Sequence, residues 1–354
     1  MDPVTHFMTG AVLSRAGFNR KAAYATLAMT LAAEAPDLDV LWSLKGPVAA
    51  FEHHRGWTHT LLGVPFEAAI ITGVVWLGHR LLQRWRRSQN THAWKASGVA
   101  PLHWPRLYLF SVLALLSHIL LDWTNNYGVR LFFPFNPRWY SGSFVFIIEP
   151  VILLLLLTAL SAPALFGLVG SEVGARREMY RGRGWAIAAL IGIVAFWGWR
   201  FVEREKAVAL TREAGLRQEQ VLRITADPYP INPFRWQTVI ETPLVYQIAS
   251  VNTLIGNVSS NTPADVFHKP PTTLATLVAK RSWLGQVYLD WSQFPIVNDM
   301  GATHDGLTTV TFRDLRFLYG TDLFGRDRAP LSGVVVVNDD RRVDQMEMDG
   351  RVQR

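Results

Sequence analysis

The chain has 354 residues, of which 49% are hydrophobic and 14 are tryptophan, and its mean hydropathy is +0.13. This composition is high for a soluble protein, and the length allows two or more domains. The absence of cysteine excludes disulfides and thiolate metal sites. The formal net charge of +7 raises the question of nucleic-acid binding. The basic residues cluster in loops between apolar segments, however, so no nucleic-acid partner is expected.

Apolar segments dominate the first 203 residues. Asp2 followed by Pro3 predicts a true helix start instead of a cleaved signal peptide. Segments 3–16 and 22–35 would each be about 21 Å long, which predicts an N-terminal helical hairpin buried among longer helices. A hairpin lying in the membrane interface is the alternative. Four longer segments meet or approach the length of about 20 residues needed to cross a bilayer; they are 61–82, 107–121, 144–168 and 185–201.

The distribution of basic residues predicts the orientation of these helices. Three connections are rich in Lys and Arg, and such loops face the cytoplasm. Both chain ends would then be extracytoplasmic. The basic residues concerned are Arg15, Arg20 and Lys21, then Arg84, Arg86, Arg87, Lys95 and Arg106, then Arg176, Arg177, Arg181 and Arg183.

Beyond this part the sequence is mixed and polar, with a charged helix-prone stretch followed by short β-prone runs. We therefore predict two domains, residues 1–203 and 204–354. The expected fold is a mainly α polytopic membrane bundle, with about four full transmembrane helices plus the N-terminal hairpin. A small C-terminal β-rich α+β domain follows it and would be extracytoplasmic.

A set of histidine and acidic side chains falls on the predicted extracytoplasmic side of the first five segments. Neutral imidazole and carboxylate are ligands for zinc and similar divalent ions, and ionisable groups at membrane level indicate function. We predict that they bind one to three divalent ions, with zinc preferred. The predicted metal ligands are His6, Asp37, Asp39, His54, His59, His118 and Asp122.

Spacing supports two of the pairs. His118 and Asp122 lie one helical turn apart, so both can address one ion, or Asp122 can orient the imidazole. A histidine hydrogen-bonded within the bundle is the alternative. Asp37 and Asp39 would point the same way in an extended segment and repel each other unless a cation or proton lies between them. Their alternative is the capping of a turn.

The stretch His53-His54-Arg55-Gly56-Trp57-Thr58-His59 combines a loop with a predicted helix start. Thr58 is expected to cap a helix that begins at His59. Arg55 is predicted to hold a substrate oxyanion, because its fork binds two oxygens at once. A carboxylate that is not needed for the metal, either Asp39 or Glu149, is predicted to serve as the catalytic base.

Four elements of this chain resemble the YdjM-like family of membrane-bound metal-dependent hydrolases, also described as LexA-binding inner-membrane proteins. The resemblance covers roughly residues 1–160 and departs from the family pattern at Glu149 and at Glu34. It implies metal binding more directly than it implies a reaction. The elements that carry it are Asp2-Pro3-Val4-Thr5-His6, Pro36-Asp37-Leu38-Asp39, His54-Arg55-Gly56-Trp57-Thr58-His59 and His118-Ile119-Leu120-Leu121-Asp122.

Together, residues and resemblance predict a multi-pass hydrolase of the cytoplasmic (inner) membrane. Its substrate would be a phosphoester or ester of a lipid or lipid-linked molecule at the outer face. The alternative is a non-catalytic binding or regulatory membrane protein with a structural metal. A transporter is disfavoured, because charged residues are missing from mid-membrane positions. The sequence leaves open the substrate, the metal, the oligomeric state, any protein partner and the role of the C-terminal domain.

Overall fold

The computed structural model describes residues 1–88, 100–172, 182–217, 219–260, 263–319 and 329–353. About half of these described residues are helical. The chain divides into two compact units. The first, here the membrane unit, comprises Met1–Leu38 and Arg55–Trp199, and the second, the sheet unit, comprises Asp39–His54 and Arg200–Arg354.

The membrane unit begins with two closely packed helices, α1 (Pro3–Arg15) and α2 (Ala25–Glu34). Asp2 caps α1 as predicted, since its Oδ1 accepts a hydrogen bond of 3.0 Å from the Thr5 amide. The two helices approach closely at Gly10, where an added Cβ would lie 2.6 Å from the carbonyl oxygen of Met29. Small residues at such a crossing let the two backbones meet.

Longer apolar helices follow. Helices α5 (Trp104–Thr124) and α7 (Arg183–Glu213) are long and apolar enough to cross a membrane. A third span results if α3 (Pro47–His53), with the 3-10 turn after it, and α4 (Gly63–Ser88) form one crossing bent by 85°. The described residues thus give two or three candidate spans, and the predicted number of four is not confirmed. The bounds are α3 Pro47–His53, α4 Gly63–Ser88, α5 Trp104–Thr124, α6 Pro150–Glu172 and α7 Arg183–Glu213.

The surface of these helices is itself apolar. Large hydrophobic side chains such as Ile70, Leu109, Leu154 and Ile191 are exposed along α4 to α7. Exposed apolar surface of this extent is typical of helices that face lipid. The interior of the unit is built from smaller side chains on α2 and larger ones on α5.

The sheet unit contains two five-stranded antiparallel sheets together with the helices α8 (Leu274–Arg281) and α9 (Trp283–Trp291), helix α3 and the C-terminal part of α7. One sheet has the order β1-β2-β3-β4, with β5 also paired to β3, and the other has the order β10-β9-β8-β7-β6. A β-rich C-terminal region is therefore confirmed. The strands are β1 Arg223–Pro228, β2 Arg235–Glu241, β3 Val245–Asn252, β4 Asn257–Ser259, β5 Val266–His268, β6 Pro295–Ala302, β7 Thr308–Asp314, β8 Gly333–Val337, β9 Val343–Met348 and β10 Arg351–Val352.

The sheet unit also includes Asp39–His54, a segment from the N-terminal part of the sequence. The side chain of Gln353 holds it there, because its Oε1 accepts a hydrogen bond of 2.9 Å from the Val48 amide. The Trp283 indole donates to Glu52 Oε2 at 3.0 Å. The predicted domain boundary after residue 203 falls within α7, as does the division between Trp199 and Arg200. The inclusion of residues 39–54 had no signal in the sequence.

Candidate metal centre

Four of the predicted metal ligands come together in the membrane unit. Asp37, His59, His118 and Asp122 each offer one ligand atom, and these four atoms all lie within 4.8 Å of one another. Asp37 comes from the 3-10 helix Ala35–Lys45, which continues α2, and His59 comes from the 3-10 turn Trp57–His59. The remaining two lie one turn apart on α5.

Five of the six distances between these atoms are close to the edges of a small coordination tetrahedron, and the sixth, between Asp37 and Asp122, is within 4.8 Å. The Nε2 atoms of His59 and His118 are 3.0 Å apart. Asp37 Oδ1 lies 3.6 Å from each of them. Asp122 Oδ2 lies 3.3 Å from His59 Nε2 and 3.5 Å from His118 Nε2. Ligand atoms around a tetrahedral zinc ion are about 3.3–3.4 Å apart, given bonds of about 2.0–2.1 Å. The donor set and its spacing therefore fit one divalent ion.

The backbone of α2 orients His118. Its Nδ1 lies 2.7 Å from the carbonyl oxygen of Ala33. A carbonyl only accepts hydrogen bonds, so the Nδ1 atom must carry the proton. In the neutral ring, Nε2 then presents its lone pair to the other three ligand atoms, which is the arrangement a metal-bound histidine requires.

The hydroxyl group of Thr58 orients His59, because its Oγ1 atom lies 3.0 Å from the Nδ1 atom of that ring. A hydroxyl can both donate and accept, so it supports either tautomer of this ring. The expectation that Thr58 caps a helix starting at His59 is wrong. The turn ends at His59, and α4 begins only at Gly63.

The two oxygens of Asp122 have different surroundings. Oδ1 accepts a hydrogen bond of 2.8 Å from Arg55 Nη2, and the Met1 amino group contacts the same atom. Oδ2 is buried and has no hydrogen-bond donor among the described residues. A buried carboxylate oxygen without a donor is costly unless a cation or proton satisfies it. Asp122 therefore uses Oδ1 for contacts with the protein, and its Oδ2 remains available to bind a metal ion.

Arg55 is almost completely buried and is engaged by the protein itself. Besides Asp122, its Nη1 donates to Asn125 Oδ1 at 3.1 Å and to the Gly128 carbonyl at 3.0 Å. Its guanidinium carbon lies 4.8 Å from the centre of the Tyr127 ring. These contacts aim the guanidinium at Asp122. Its predicted contact with a substrate oxyanion stays a prediction.

His6 lies beside the centre but outside the group of four. Its ring stacks on that of His118, with centroids 3.7 Å apart, and its Nε2 is 3.3 Å from Asp122 Oδ1. It therefore faces the carboxylate oxygen that Arg55 also contacts. The Nδ1 atom of His6 is buried and has no partner among the described residues.

The remaining predicted site residues are not part of the group of four. Asp39 and His54 belong to the sheet unit, where Asp39 Oδ1 and His54 Nδ1 are 3.2 Å apart. Asp39 does not point the same way as Asp37, because the segment is a 3-10 helix and not extended; residues two apart then differ by about 120° around the axis. Glu149 is buried in the membrane unit, directly before α6.

Sequence spacing missed Thr58 and the Ala33 carbonyl as supports of the two histidines. The departure from the family pattern at Glu34 indicates an additional polar group. Glu34 ends α2, outside the candidate spans, and its pKa is raised to about 7, first by burial and then by the Asp37 carboxylate.

Comparisons with known proteins agree with the resemblance seen in the motifs. A protein of Bacillus subtilis (strain 168), described as the uncharacterized protein YfhP, is 27% identical to this chain over 169 residues. That match covers 46% of each sequence, so the chain spans about half the length of this relative. No solved structure matches. The family model described as YdjM inner membrane protein matches residues 1–207, which include every predicted site residue, and the chain belongs to this family.

Proposed function

We propose that the protein is a membrane-bound, metal-dependent hydrolase with one zinc ion held by Asp37, His59, His118 and Asp122. Its substrate is a phosphoester or ester of a lipid or lipid-linked molecule at the outer face of the cytoplasmic membrane. The observation that carries this proposal is that two imidazole nitrogens lie 3.0 Å apart and that a carboxylate oxygen of Asp37 and one of Asp122 each lie within 3.6 Å of both nitrogens.

The chemistry of the ligand atoms supports this assignment. Two imidazoles and two carboxylates form a typical zinc donor set, and the four-atom group accommodates one ion, the lower end of the predicted range of one to three. A zinc ion held by these four residues would supply Lewis-acid chemistry, lowering the pKa of a bound water and polarising the scissile group.

The surrounding residues then have separate roles. Arg55 fixes Asp122 through Oδ1, so that Oδ2 stays directed at the ion. Asp37 is the most exposed of the four ligands, with 17% of its side-chain surface accessible, whereas the other three are fully buried. We infer that substrate and water approach from the side of Asp37. Glu149, which is buried in the same unit as the centre, is the proposed base, and Arg55 is the proposed oxyanion contact.

A structural metal is the second candidate, and one observation favours it. Four protein ligands fill a tetrahedron, whereas a catalytic zinc keeps one position open for water or substrate. Under this alternative the ion fastens α2, the turn at His59 and α5 together, and the protein acts by binding.

Metal analysis of the purified full chain, combined with turnover of lipid phosphoesters and esters, tests the proposal. The wild type should contain about one zinc per chain and hydrolyse the substrate, and His59→Ala should lose both. His79→Ala is the matched control, because His79 lies on α4 and bonds to Tyr24 at 3.1 Å instead of the centre.

The outcomes separate the alternatives. Retained metal without turnover on a broad panel of esters favours the structural role, and a metal-free wild type refutes both candidates. A reporter fusion that places the C-terminal end in the cytoplasm would refute the assignment of the centre to the outer face.

A further inference from the structure

An exposed aromatic surface lies next to the metal centre in the membrane unit. Two loops build it: the turn that carries His59, and the connection that follows α5. Phe135 is 84% exposed and Trp57, two residues before His59, is 56% exposed. We call this the aromatic apron; its exposed members are Trp57, Leu61, Leu62, Phe132 and Phe135.

Defined contacts hold the two loops together. The Leu61 amide donates a hydrogen bond of 3.0 Å to the carbonyl oxygen of Leu131. The rings of Trp57 and Phe133 meet edge to face, with centroids 5.2 Å apart. The apron is therefore an ordered surface joined to the turn that carries His59. Its large aromatic side chains are exposed, although such side chains are usually buried in proteins that are surrounded by water.

The charge of the second loop indicates what covers this surface. Between Asn125 and Ile148 the sequence contains two arginines, eight aromatic residues and no carboxylate. The guanidinium carbon of Arg130 lies 4.5 Å from the Trp139 ring centre, and that of Arg138 lies 5.7 Å from the Tyr140 ring centre. Aromatic rings interleaved with cations are typical of the headgroup level of a bilayer, where rings enter the interface and cations meet phosphate.

The position of the apron in the chain agrees with this depth. One loop leads directly into α4, at the 85° bend of the candidate broken span, and the other leaves the candidate span α5 at Thr124. The apron thus begins where membrane-crossing helices end, so it continues the lipid-facing surface of the unit.

We propose that the aromatic apron lies in the lipid headgroup region of the leaflet at which the metal centre opens, with phospholipid as its occupant. A lipid in that leaflet would have its headgroup beside His59 without leaving the bilayer. This second step rests on the proposed function, whereas the location of the apron does not.

Site-directed spin labelling tests the location, because the chain has no cysteine and one introduced thiol is the sole labelling site. The label is placed at Phe135→Cys and, in a second variant, at Trp57→Cys, in nanodiscs of phosphatidylethanolamine and phosphatidylglycerol. Leu109→Cys, exposed on α5, is the lipid reference, and Asp340→Cys, exposed after β8, is the water reference.

We expect the ratio of oxygen to nickel-chelate accessibility at residues 135 and 57 to exceed the Asp340→Cys value several-fold and to approach that of Leu109→Cys. A ratio equal to the water reference overturns the proposal. So does shielding from both reagents, which would mean that protein, such as a second copy, covers the apron. Zinc content of the same samples keeps the tests separate: lipid-like labels on zinc-free protein refute the proposed function and leave the apron in lipid.

Discussion

The Nε2 atoms of His59 and His118 face each other at 3.0 Å, with carboxylate oxygens of Asp37 and Asp122 within 3.6 Å of both. The Ala33 carbonyl requires a bare Nε2 on His118. Two bare nitrogens at this distance repel each other, so either His59 carries a proton on Nε2 or a cation lies between the rings. Metal binding selects the second state, and in that state His59 must place its proton on Nδ1.

Thr58→Val should therefore weaken metal binding, because valine keeps the shape of threonine but cannot accept a hydrogen bond from the protonated Nδ1 of His59. Loss of such an outer hydrogen bond lowers metal affinity by about 10–100-fold. Competition with a chelator of known affinity measures the effect. Thr58→Ser retains the hydroxyl and should retain most of the affinity; equal affinities for the valine and serine variants would contradict this role.

Arg55→Gln should destabilise the membrane unit and lower its metal content. Removing one partner of a buried ion pair costs up to about 3–5 kcal/mol, because the remaining charge stays buried; the Met1 amino group, which contacts the same oxygen of Asp122, offsets part of this cost. Arg55 also adopts a left-handed backbone with φ of 54°, which is uncommon for residues other than glycine. Thermal unfolding in detergent, with metal analysis of the same sample, measures both effects.

Arg55→Lys is the informative companion, since it keeps the charge but loses the fork that reaches Asp122, Asn125 and Gly128 together. It should fall between the wild type and the glutamine variant. A glutamine variant with wild-type unfolding temperature and metal content would show that the contacts of this side chain contribute nothing to the centre.

The sequence could place one pair of ligands relative to each other. His118 and Asp122 lie on one helix, and helix geometry alone puts residues four apart on the same face. The Ala33 carbonyl had no such signal, because every residue has a carbonyl and packing of α2 against α5 selects this one. The partners of Arg55 could not be predicted either, because they come from a loop about seventy positions away and tertiary packing alone brings them to the guanidinium.

The architecture of the whole chain likewise has features that the sequence predicted and features that it did not. Apolar runs and β-prone runs predicted the helical and sheet regions, because both depend on local composition. Residues 39–54 belong to the sheet unit through contacts with residues far along the chain, such as Gln353, which is more than 300 positions away. No local pattern reports such a contact, so the sequence favoured a single boundary near residue 203.

Acid should weaken the sheet unit through the buried pair Asp314 and Arg316. Burial by itself raises the pKa of Asp314, but the charge and hydrogen bonds of Arg316 outweigh it and hold that pKa below the ordinary value of 3.8. Because the folded pKa is depressed, the stabilisation is fully present above pH 3.8 and is lost as the pH falls through the folded value.

Hydrogen exchange of peptides covering β7, corrected for intrinsic rates, should therefore report no loss of protection from this pair between pH 7 and pH 5, and a loss in stronger acid. Asp314→Asn should lower protection already at pH 7, by about 3–5 kcal/mol, because it leaves Arg316 buried without its counter-ion. Asp340→Asn, on the exposed turn after β8, is the control and should resemble the wild type. Equal protection in both variants would rule out a stabilising role for the pair.

Gly10→Ala should separate α1 from α2 and thereby weaken the metal centre from a distance. The new Cβ would lie 2.6 Å from the Met29 carbonyl oxygen and 2.8 Å from Thr30 Cα and Ala33 Cβ, so backbone must move. Overpacking of this kind costs about 1–3 kcal/mol. A shift of α2 also moves the Ala33 carbonyl that orients His118, so zinc affinity should fall together with thermal stability.

Gly73→Ala is the matched control, since Gly73 lies within α4 and nothing lies within 4 Å of an added Cβ there. That variant should keep zinc affinity and should be as stable as the wild type or slightly more stable, because alanine favours helix over glycine by about 1 kcal/mol. If Gly10→Ala lost stability but bound zinc with unchanged affinity, the hydrogen bond from His118 to Ala33 would be dispensable for the centre, and the orientation of that ring would have to come from α5 alone.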